Sequence, residues 1–275
     1  MANFHVIAGA AGGWTRPTVR KVGIADIKEA LAKGVDDFLA MPSHLIFLCL
    51  IYPLVGVPLA AANDLHLVYP LASGFALVGP FAAVGLYEVS RRRELGMDTS
   101  WRHAFDVLRS PAMPSILVLG VVLLVIFLLW LSAAQALYVG LFGPDAPRSY
   151  GRFLREVLTT PHGWALIILG NGIGFLFAAL VLSISVVSFP LLLDRDVGVA
   201  VAIHTSVRTV LANPVAMALW GLIVAALLVI GSLPLFVGLA VAMPVLGHST
   251  WHLYRRLVER SLGEERKASA PKAFP

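Results

Sequence analysis

Cysteine is almost absent from this 275-residue chain, whose single copy, Cys49, lies inside an apolar run. One thiol can form neither an intramolecular disulfide nor a thiolate metal cluster, so both are excluded. Charged residues make up only 13% of the chain, whereas a soluble domain carries about 25%. The chain therefore lacks the polar surface that would let a fold of this length face water on all sides.

Sequence motifs of catalysis are also missing. The chain has no phosphate-binding glycine loop, no Gly-x-Ser-x-Gly elbow and no His-Glu-x-x-His zinc motif. General acid–base catalysis needs positioned titratable groups, and the candidates are Glu88 with its neighbouring arginines and Asp194 with Asp196. We therefore predict no catalytic residue, no cofactor and no metal, and expect the protein not to be an enzyme; a lipid-modifying enzyme is the least favoured alternative.

Long apolar runs are what the chain does contain. Hydrophobic residues make up 58% of it, mean hydropathy is +0.83, and a spanning helix needs roughly 20 mostly apolar residues. Six runs meet this description, with Gly231, Ser232 and Pro234 forming a turn between the last two. The predicted spans are residues 43–62, 67–89, 114–140, 163–193, 214–230 and 232–250.

The distribution of Lys and Arg predicts the orientation. Eighteen of the 21 basic residues flank one side of these spans, and only Arg148, Arg152 and Arg155 flank the other. Cytoplasmic loops hold the excess of Lys and Arg, so both termini are predicted to be cytoplasmic, in a bacterial inner membrane. The net charge of +5 is then explained by flanking cations, and no nucleic-acid partner is expected.

Three segments share a pattern before a span. Each ends at a proline (Pro42, Pro111 and Pro214), with Leu three residues earlier and Phe or Val one residue before that. In the first segment, an apolar stripe repeats at helical spacing: Ile24, Ile27, Leu31, Val35 and Phe38. We predict an all-α polytopic fold of three helical hairpins, each preceded by a short cytoplasmic amphipathic helix that lies in the headgroup plane, as a threefold internal repeat.

The domain boundaries follow from the same features. Residues 1–21 are predicted to be a flexible N-terminus, residues 22–260 the six-helix transmembrane domain, and residues 261–275 a polar, disordered tail.

Two sets of residues are candidates for a site. Glycines in a span allow close helix approach, and proline-broken helices build binding sites in transporters; the set predicted to line a cavity or to pack helices is Asn171, Gly170, Gly172, Gly174, Gln135, Pro53 and Pro58. Clustered arginines at a cytoplasmic boundary can bind anionic lipid headgroups, and that set is Arg91, Arg92, Arg93, Arg255 and Arg256. Generic membrane anchoring would explain the arginines equally well.

Three stretches of the sequence resemble a known family: Met41-Pro42-Ser43-His44 at the first span, Glu88-Val-Ser-Arg-Arg-Arg93 at the end of the second, and Trp251-His-Leu-Tyr-Arg-Arg256 after the sixth. The chain resembles the uncharacterised bacterial integral membrane proteins of the domain of unknown function 2189 type, over about residues 22–259. The resemblance implies an inner-membrane location and six spans, and it brings no catalytic or binding residue.

Two functions remain open from the sequence. A non-enzymatic accessory, assembly or scaffold component, acting through the lipid bilayer and other membrane proteins, is favoured by the absence of Asp, Glu, Lys and Arg from the central part of each span. The alternative is a small-molecule or lipid transporter or channel, which the repeats and the broken hairpins favour.

Overall fold

A computed structural model describes residues 17–41, 65–145, 147, 149–233 and 237–259. The chain in these ranges is helical, and its one β-type pairing is an isolated bridge between Val19 and Val258. The prediction of an all-α fold is confirmed for the described residues. The predicted first span, residues 43–62, and the predicted tail, residues 261–275, lie outside them.

The α-helices in chain order are α1 (Ile24–Ala40), α2 (Val68–Ala82), α3 (Val84–Glu94), α4 (Met113–Phe142), α5 (Tyr150–Thr159), α6 (Pro161–Ser185), α7 (Ser188–Asp194), α8 (Val199–Ala212), α9 (Pro214–Ser232) and α10 (Leu239–Leu257). Two 3₁₀ helices, Leu65–Leu67 and Trp101–Arg109, precede α2 and α4.

Local chemistry explains the corner between α5 and α6. Thr160 caps α6, since its hydroxyl accepts a hydrogen bond from the Gly163 amide at 3.0 Å, and Pro161 occupies the first turn. A Cβ on Gly163 would lie 2.2 Å from the carbonyl oxygen of Val157, so only glycine lets the two helices meet this closely. α4 ends at Gly143, whose φ of 86° is a left-handed conformation that glycine adopts without strain.

Four helical stretches are long and apolar enough to cross a membrane: Tyr69–Glu94, Met113–Phe142, Pro161–Asp194 and Pro214–Ser232. The first runs through α2 and α3, and the third through α6 and α7. They overlap the predicted second, third, fourth and fifth spans. Large apolar side chains such as Leu128, Phe175 and Leu222 are more than half exposed on them, as expected for helix faces that meet lipid.

The sixth predicted span differs from the structure. Residues 234–236 are not described, and α10 starts at Leu239 and continues to Leu257, seven residues beyond the predicted end at 250. α10 is not among the four stretches above, because its second half carries His248, His252, Arg255 and Arg256. The six-span, three-hairpin arrangement therefore stays a prediction.

The first predicted amphipathic segment is a helix, α1, and its predicted apolar stripe is only partly buried within the protein; that the stripe meets the headgroups stays a prediction. Ile24 and Val35 of the predicted stripe are 55% and 40% exposed. The buried residues are Ile27, Ala30, Gly34 and Asp37, and they pack against α10. Small side chains on this face let α1 approach α10 closely, since a Cβ on Gly34 would lie 1.9 Å from the Ser249 hydroxyl oxygen. α1 is thus bound to another helix of the protein.

The other two predicted segments take different forms. Residues Trp101–Arg109 form a 3₁₀ helix, with Phe105 and Leu108 exposed and Val107 buried. The third is the α-helix α8, which packs on α6 and α7. The leucine three residues before each proline is exposed in every case, at Leu39, Leu108 and Leu211.

The two ends of the described chain meet. The amide of Arg20 donates to the carbonyl of Leu257 at 2.8 Å, and the amide of Glu259 donates to the carbonyl of Thr18 at 3.0 Å. The Asn213 side chain, between α8 and α9, accepts from the Val22 amide and donates to the Arg20 carbonyl. These hydrogen bonds involve Thr18 and Arg20, so residues 17–21 of the predicted flexible N-terminus are held against the helices.

Candidate functional site at the charged end of the bundle

Ionised side chains gather where α1, α3, α7, α10 and the 3₁₀ helix Trp101–Arg109 come together. We call this region the charged end, and its ion-paired carboxylates are those of Asp26, Glu29, Asp37, Glu88, Glu94, Asp98, Asp106 and Asp194. The four candidate spans have no Asp, Glu, Lys or Arg in their central parts. In these four spans charge is thus confined to the ends, where water and headgroups can solvate it.

Asp37 is the buried centre of the charged end, with only 3% of its surface exposed. Its Oδ1 accepts from Arg93 at 2.5 Å, and its Oδ2 accepts from the Ser90 hydroxyl at 2.6 Å and lies 2.9 Å from His252 Nε2. Burial raises the pKa of Asp37, but the hydrogen bonds from His252, Ser90 and Arg93 outweigh burial, and the pKa lies below its usual value. The carboxylate is ionised because three donors from two other helices replace water.

Ser90 links Asp37 to a second histidine, His248, whose Nδ1 lies 2.7 Å from the serine oxygen. A hydroxyl has one proton, so if Ser90 donates it to Asp37, His248 Nδ1 must carry the proton between them. In a hydrolytic triad the histidine stands between serine and aspartate, whereas here the serine does. Ser90 and His248 are both fully buried. The order and the burial argue for a structural link between helices.

A second cluster surrounds Glu88, which is buried at 3% exposure at the end of the first candidate span. Arg91 contacts it through Nε and a terminal nitrogen at 2.8 and 3.0 Å, and Arg92 Nε donates to it at 2.9 Å. Arg92 also donates to Asp106 on the 3₁₀ helix at 2.8 Å. Arg92 therefore ties the loop between two spans to the end of α3.

Asp106 belongs to a more exposed cluster. His103 Nδ1 lies 2.6 Å from Asp106, and His103 Nε2 lies 3.0 Å from Asp98. Hydrogen bonding to Asp106, then to Asp98, raises the pKa of His103. Hydrogen bonding to His103 in turn lowers the pKa of Asp106. The Asp106 side chain is 38% exposed, so water screens these interactions far more than those of Asp37.

A third cluster joins α3, α7 and α10. Arg255 contacts Glu94 at 3.1 Å and Asp194 at 3.2 Å. The Trp251 indole N–H donates to Glu94 at 3.1 Å, and the Tyr254 hydroxyl donates to Asp194 at 2.5 Å. α10 is therefore held on two neighbouring helices by a guanidinium and two aromatic donors.

A pocket of about 550 Å³ opens at the charged end between α1, α3 and α10. Its lining residues are Arg20, Ala30, Lys33, Asp36, Asp37, Ser90, Arg93, Glu94, His252, Arg255 and Arg256. Five are permanent cations and three are carboxylates. Within the described residues no group of His, Cys, Asp and Glu has a spacing that would hold a metal ion.

The predicted cavity residues do not meet at one place. Asn171 is exposed on α6, where its Oδ1 accepts from the Tyr69 hydroxyl at 3.0 Å and its Nδ2 donates to the Ile167 carbonyl at 2.8 Å. Gln135 on α4 lies 2.5 Å from His66 Nε2 instead of pairing with Asn171. Pro53 and Pro58 lie outside the described residues.

The three glycines have different surroundings. A Cβ on Gly174 would lie 3.2 Å from the Trp130 ring of α4, and one on Gly170 would lie 3.7 Å from Leu137. A Cβ on Gly172 would meet nothing within 4 Å. Gly174 therefore lies at a tight contact between α4 and α6, while Gly172 faces open space.

The five predicted headgroup arginines all have carboxylate partners. Arg91 and Arg92 pair with Glu88, Arg93 with Asp37, Arg255 with Glu94 and Asp194, and Arg256 with Glu29 and Asp26. Only Arg93, Arg255 and Arg256 line the pocket. The structure thus divides the set into three pocket residues, Arg92, which joins α3 to the 3₁₀ helix, and Arg91, which pairs with Glu88 within α3.

Sequence reasoning missed Asp37, Ser90, His248 and His252 as one cluster. A signal was available for Asp37, because it continues the spacing of Ile27, Ala30 and Gly34 along one face of α1. A carboxylate on the small-residue face of an amphipathic helix predicts a buried partner. Nothing in the sequence identified that partner, since Ser90 and His252 lie 53 and 215 residues away.

Apolar stretches of spanning length, with charge kept to their ends, define the class: the chain is an α-helical integral membrane protein. A family model described as "Predicted integral membrane protein (DUF2189)" matches residues 68–194, a little under half of the chain, and confirms the resemblance over that range. The match includes Ser90, Arg93 and the Glu88 cluster but not Asp37, His248 or His252. No curated protein and no solved structure matches the chain.

Proposed function

We propose that this protein is a non-enzymatic accessory, assembly or scaffold component of a bacterial inner membrane, acting on partner proteins or lipids through its charged end. The observation that carries the proposal is the construction of that end. Segments far apart in sequence are joined there by the ion pairs of Asp37 with Arg93 and of Arg255 with Glu94 and Asp194. Such a surface is held in one shape before any partner arrives, which lowers the entropy that a partner must lose on docking.

The orientation belongs to the same proposal. The charged end carries the basic residues of the N-terminal segment, of the loop after α3 and of the end of α10. By the positive-inside rule this end faces the cytoplasm. A cytoplasmic partner or the inner leaflet would then meet α1, the 3₁₀ helix and the end of α10.

The transporter alternative is less well supported. It predicts a cavity near Asn171 or in the first hairpin. Asn171 is exposed and already bonded to Tyr69 and Ile167, and Pro53 and Pro58 of the first hairpin lie outside the described residues. The pocket described above lies at the charged end, away from the centres of the spans. A binding role at one end of the bundle therefore fits the described residues better than a pathway through it.

The test is a pull-down of the tagged protein from its native membrane in mild detergent, with mass spectrometry of proteins and lipids. We expect a stoichiometric protein partner that is lost when Lys28→Glu and Arg109→Glu reverse two exposed charges on α1 and the 3₁₀ helix. The matched control, Arg152→Glu, reverses an exposed charge on α5 at the opposite end and should keep the partner. Recovery of the protein alone, or equal loss in the control, would refute the accessory role.

A further inference from the structure

The pocket at the charged end has more positive than negative groups in its wall. Arg20, Lys33, Arg93, Arg255 and Arg256 supply five cations, and Asp36, Asp37 and Glu94 supply three carboxylates. Among these lining side chains the cations outnumber the carboxylates by two. Glu259, Glu29 and Asp26, which do not line the pocket, pair with Arg20, Lys33 and Arg256. The five cations come from the segment before α1, from α1, from the end of α3 and from α10, so the pocket exists only in the folded chain.

Ion pairs hold the cations in place without using all of their donors. Arg93 contacts Asp37 through one nitrogen, and Arg20 contacts Glu259 through one nitrogen. A guanidinium has five N–H donors, so within the described part of the chain both groups have donors left. The Lys33 ammonium, at 3.0 Å from Glu29, is half exposed. Arg255 differs, because Glu94 and Asp194 occupy its three nitrogens.

The carboxylates of the wall have unequal roles. Asp37 accepts from Arg93 and Ser90 and contacts His252, and Glu94 accepts from Arg255 and Trp251. These two are neutralised by partners on neighbouring helices. Asp36 is exposed and forms no ion pair with any described residue. The negative charge of Asp36 repels an anion that enters the pocket. Removing this charge should therefore strengthen anion binding.

We infer that this pocket binds a phosphate-bearing ligand through Arg20, Lys33, Arg93 and Arg256. Guanidinium forks match the oxygen geometry of phosphate, and charge-assisted bonds to it are about twice as strong as neutral ones. The volume of about 550 Å³ lies within the usual range for small-molecule sites. This volume leaves room for a phosphate that is part of a larger group.

Two sources share this chemistry: a phospholipid headgroup at the membrane surface and a soluble phosphate ester. The inference goes beyond the accessory role, because the pocket would hold its ligand whether or not a protein docks. The pull-down and a binding measurement can therefore fail independently of one another.

The binding measurement uses the whole protein purified in a neutral maltoside detergent. Inorganic phosphate is titrated by calorimetry at low ionic strength, where surface electrostatics are least screened. In a second arm the protein is placed in phosphatidylcholine nanodiscs with a small fraction of phosphatidic acid, and retained lipid is identified by native mass spectrometry. Retention of phosphatidic acid that phosphate displaces assigns a lipid headgroup. Saturable phosphate binding without lipid retention assigns a soluble ester.

The pocket variant is Lys33→Gln with Arg256→Gln, and phosphate affinity should fall at least about tenfold. The matched control is Lys28→Gln with Arg208→Gln, which removes two exposed cations of α1 and α8 that do not line the pocket. Its affinity should stay within about twofold of the wild type. Absence of saturable binding in both arms, or equal weakening in the two double variants, overturns the inference.

A third variant tests whether misfolding could explain weaker phosphate binding by the pocket variant. Asp36→Asn removes the unpaired carboxylate of the wall and should raise phosphate affinity several-fold at low salt. A disturbed fold cannot strengthen binding in this way. Unchanged or weaker binding by Asp36→Asn would place the anion elsewhere and overturn the assignment.

Discussion

Asp37 and Asp106 occupy comparable positions in the sequence and different positions in the molecule. Each stands five residues before a proline that precedes a predicted span. Each pairs with one arginine of the Arg91–Arg93 run and with one histidine: Asp37 with Arg93 and His252, Asp106 with Arg92 and His103. Their exposure separates them, since the side chains are 5% and 38% exposed. The same three residue types thus form a buried joint in one place and a surface cluster in the other.

Packing of a neighbouring helix makes the difference. α10 covers Asp37 and contributes His252, whereas His103 comes from the same 3₁₀ helix as Asp106. A buried carboxylate that loses its donors cannot turn to water, but an exposed one can. The comparison therefore predicts that Asp37 is essential to the joint between α1 and α10, and that Asp106 is nearly dispensable.

The largest effect is expected for Asp37→Asn. This change removes the charge that Arg93 and His252 contact, on a side chain that is only 5% exposed, and should lower the free energy of unfolding by about 3 kcal/mol. Thermal unfolding in detergent measures it. Asp106→Asn is the matched control and should shift the midpoint little. Equal shifts in the two variants would contradict the role assigned to burial.

A smaller loss is expected for Gly34→Ala. The new Cβ would lie 1.9 Å from the Ser249 hydroxyl oxygen and 2.7 Å from the Ser249 amide nitrogen, so α1 must move away from α10, at a cost of about 2 kcal/mol. Cysteines placed on α1 and α10 should crosslink less readily in the variant. Gly172→Ala is the control, because its Cβ meets nothing within 4 Å. A stability equal to the wild type for Gly34→Ala would show that the two helices do not pack this closely.

The smallest effect concerns pH, and it has opposite signs for Asp37 and for His103, the histidine beside Asp106. The lowered pKa of Asp37 gives stability that is present above its unfolded value of about 4 and is lost as pH falls through the folded pKa. The raised pKa of His103 gives stability that is present below its unfolded value of about 6.5 and is lost as pH rises through the folded pKa. Melting temperatures are measured across pH. The fall at acid pH should be smaller in Asp37→Asn than in the wild type, and the fall at alkaline pH should be smaller in His103→Gln.

Much of the spanning region was predictable from the sequence. Four of the predicted spans coincide with the helical stretches of spanning length, because a bilayer requires uninterrupted apolar runs. The sixth predicted span, residues 232–250, stays a prediction: α10 begins at Leu239, continues to Leu257 and contains buried polar contacts such as that of His248. The second amphipathic segment was predicted without the 3₁₀ geometry that Trp101–Arg109 adopts.

The candidate site was far less predictable. The arginines of the pocket were singled out from clustering alone, which identified Arg93, Arg255 and Arg256 but missed Arg20 and Lys33. Asn171 and Gln135 were placed in one candidate set, whereas the fold gives each a separate partner, Tyr69 and His66. Single-sequence patterns contain no record of which helices are neighbours, so contacts between distant residues could not be derived.

The sequence by itself determined that this is an integral membrane protein, where four of its spans run, and that charge is confined to their ends. These features follow from the free energy of placing each residue in lipid or water, which depends on local composition. Only the tertiary structure decided that Gly34 and Ala30 bring α1 onto α10, that Asp37 is buried among Ser90, Arg93 and His252, and that five cations surround one pocket. These contacts depend on which helices pack together, and that is set by shape and charge across the whole chain.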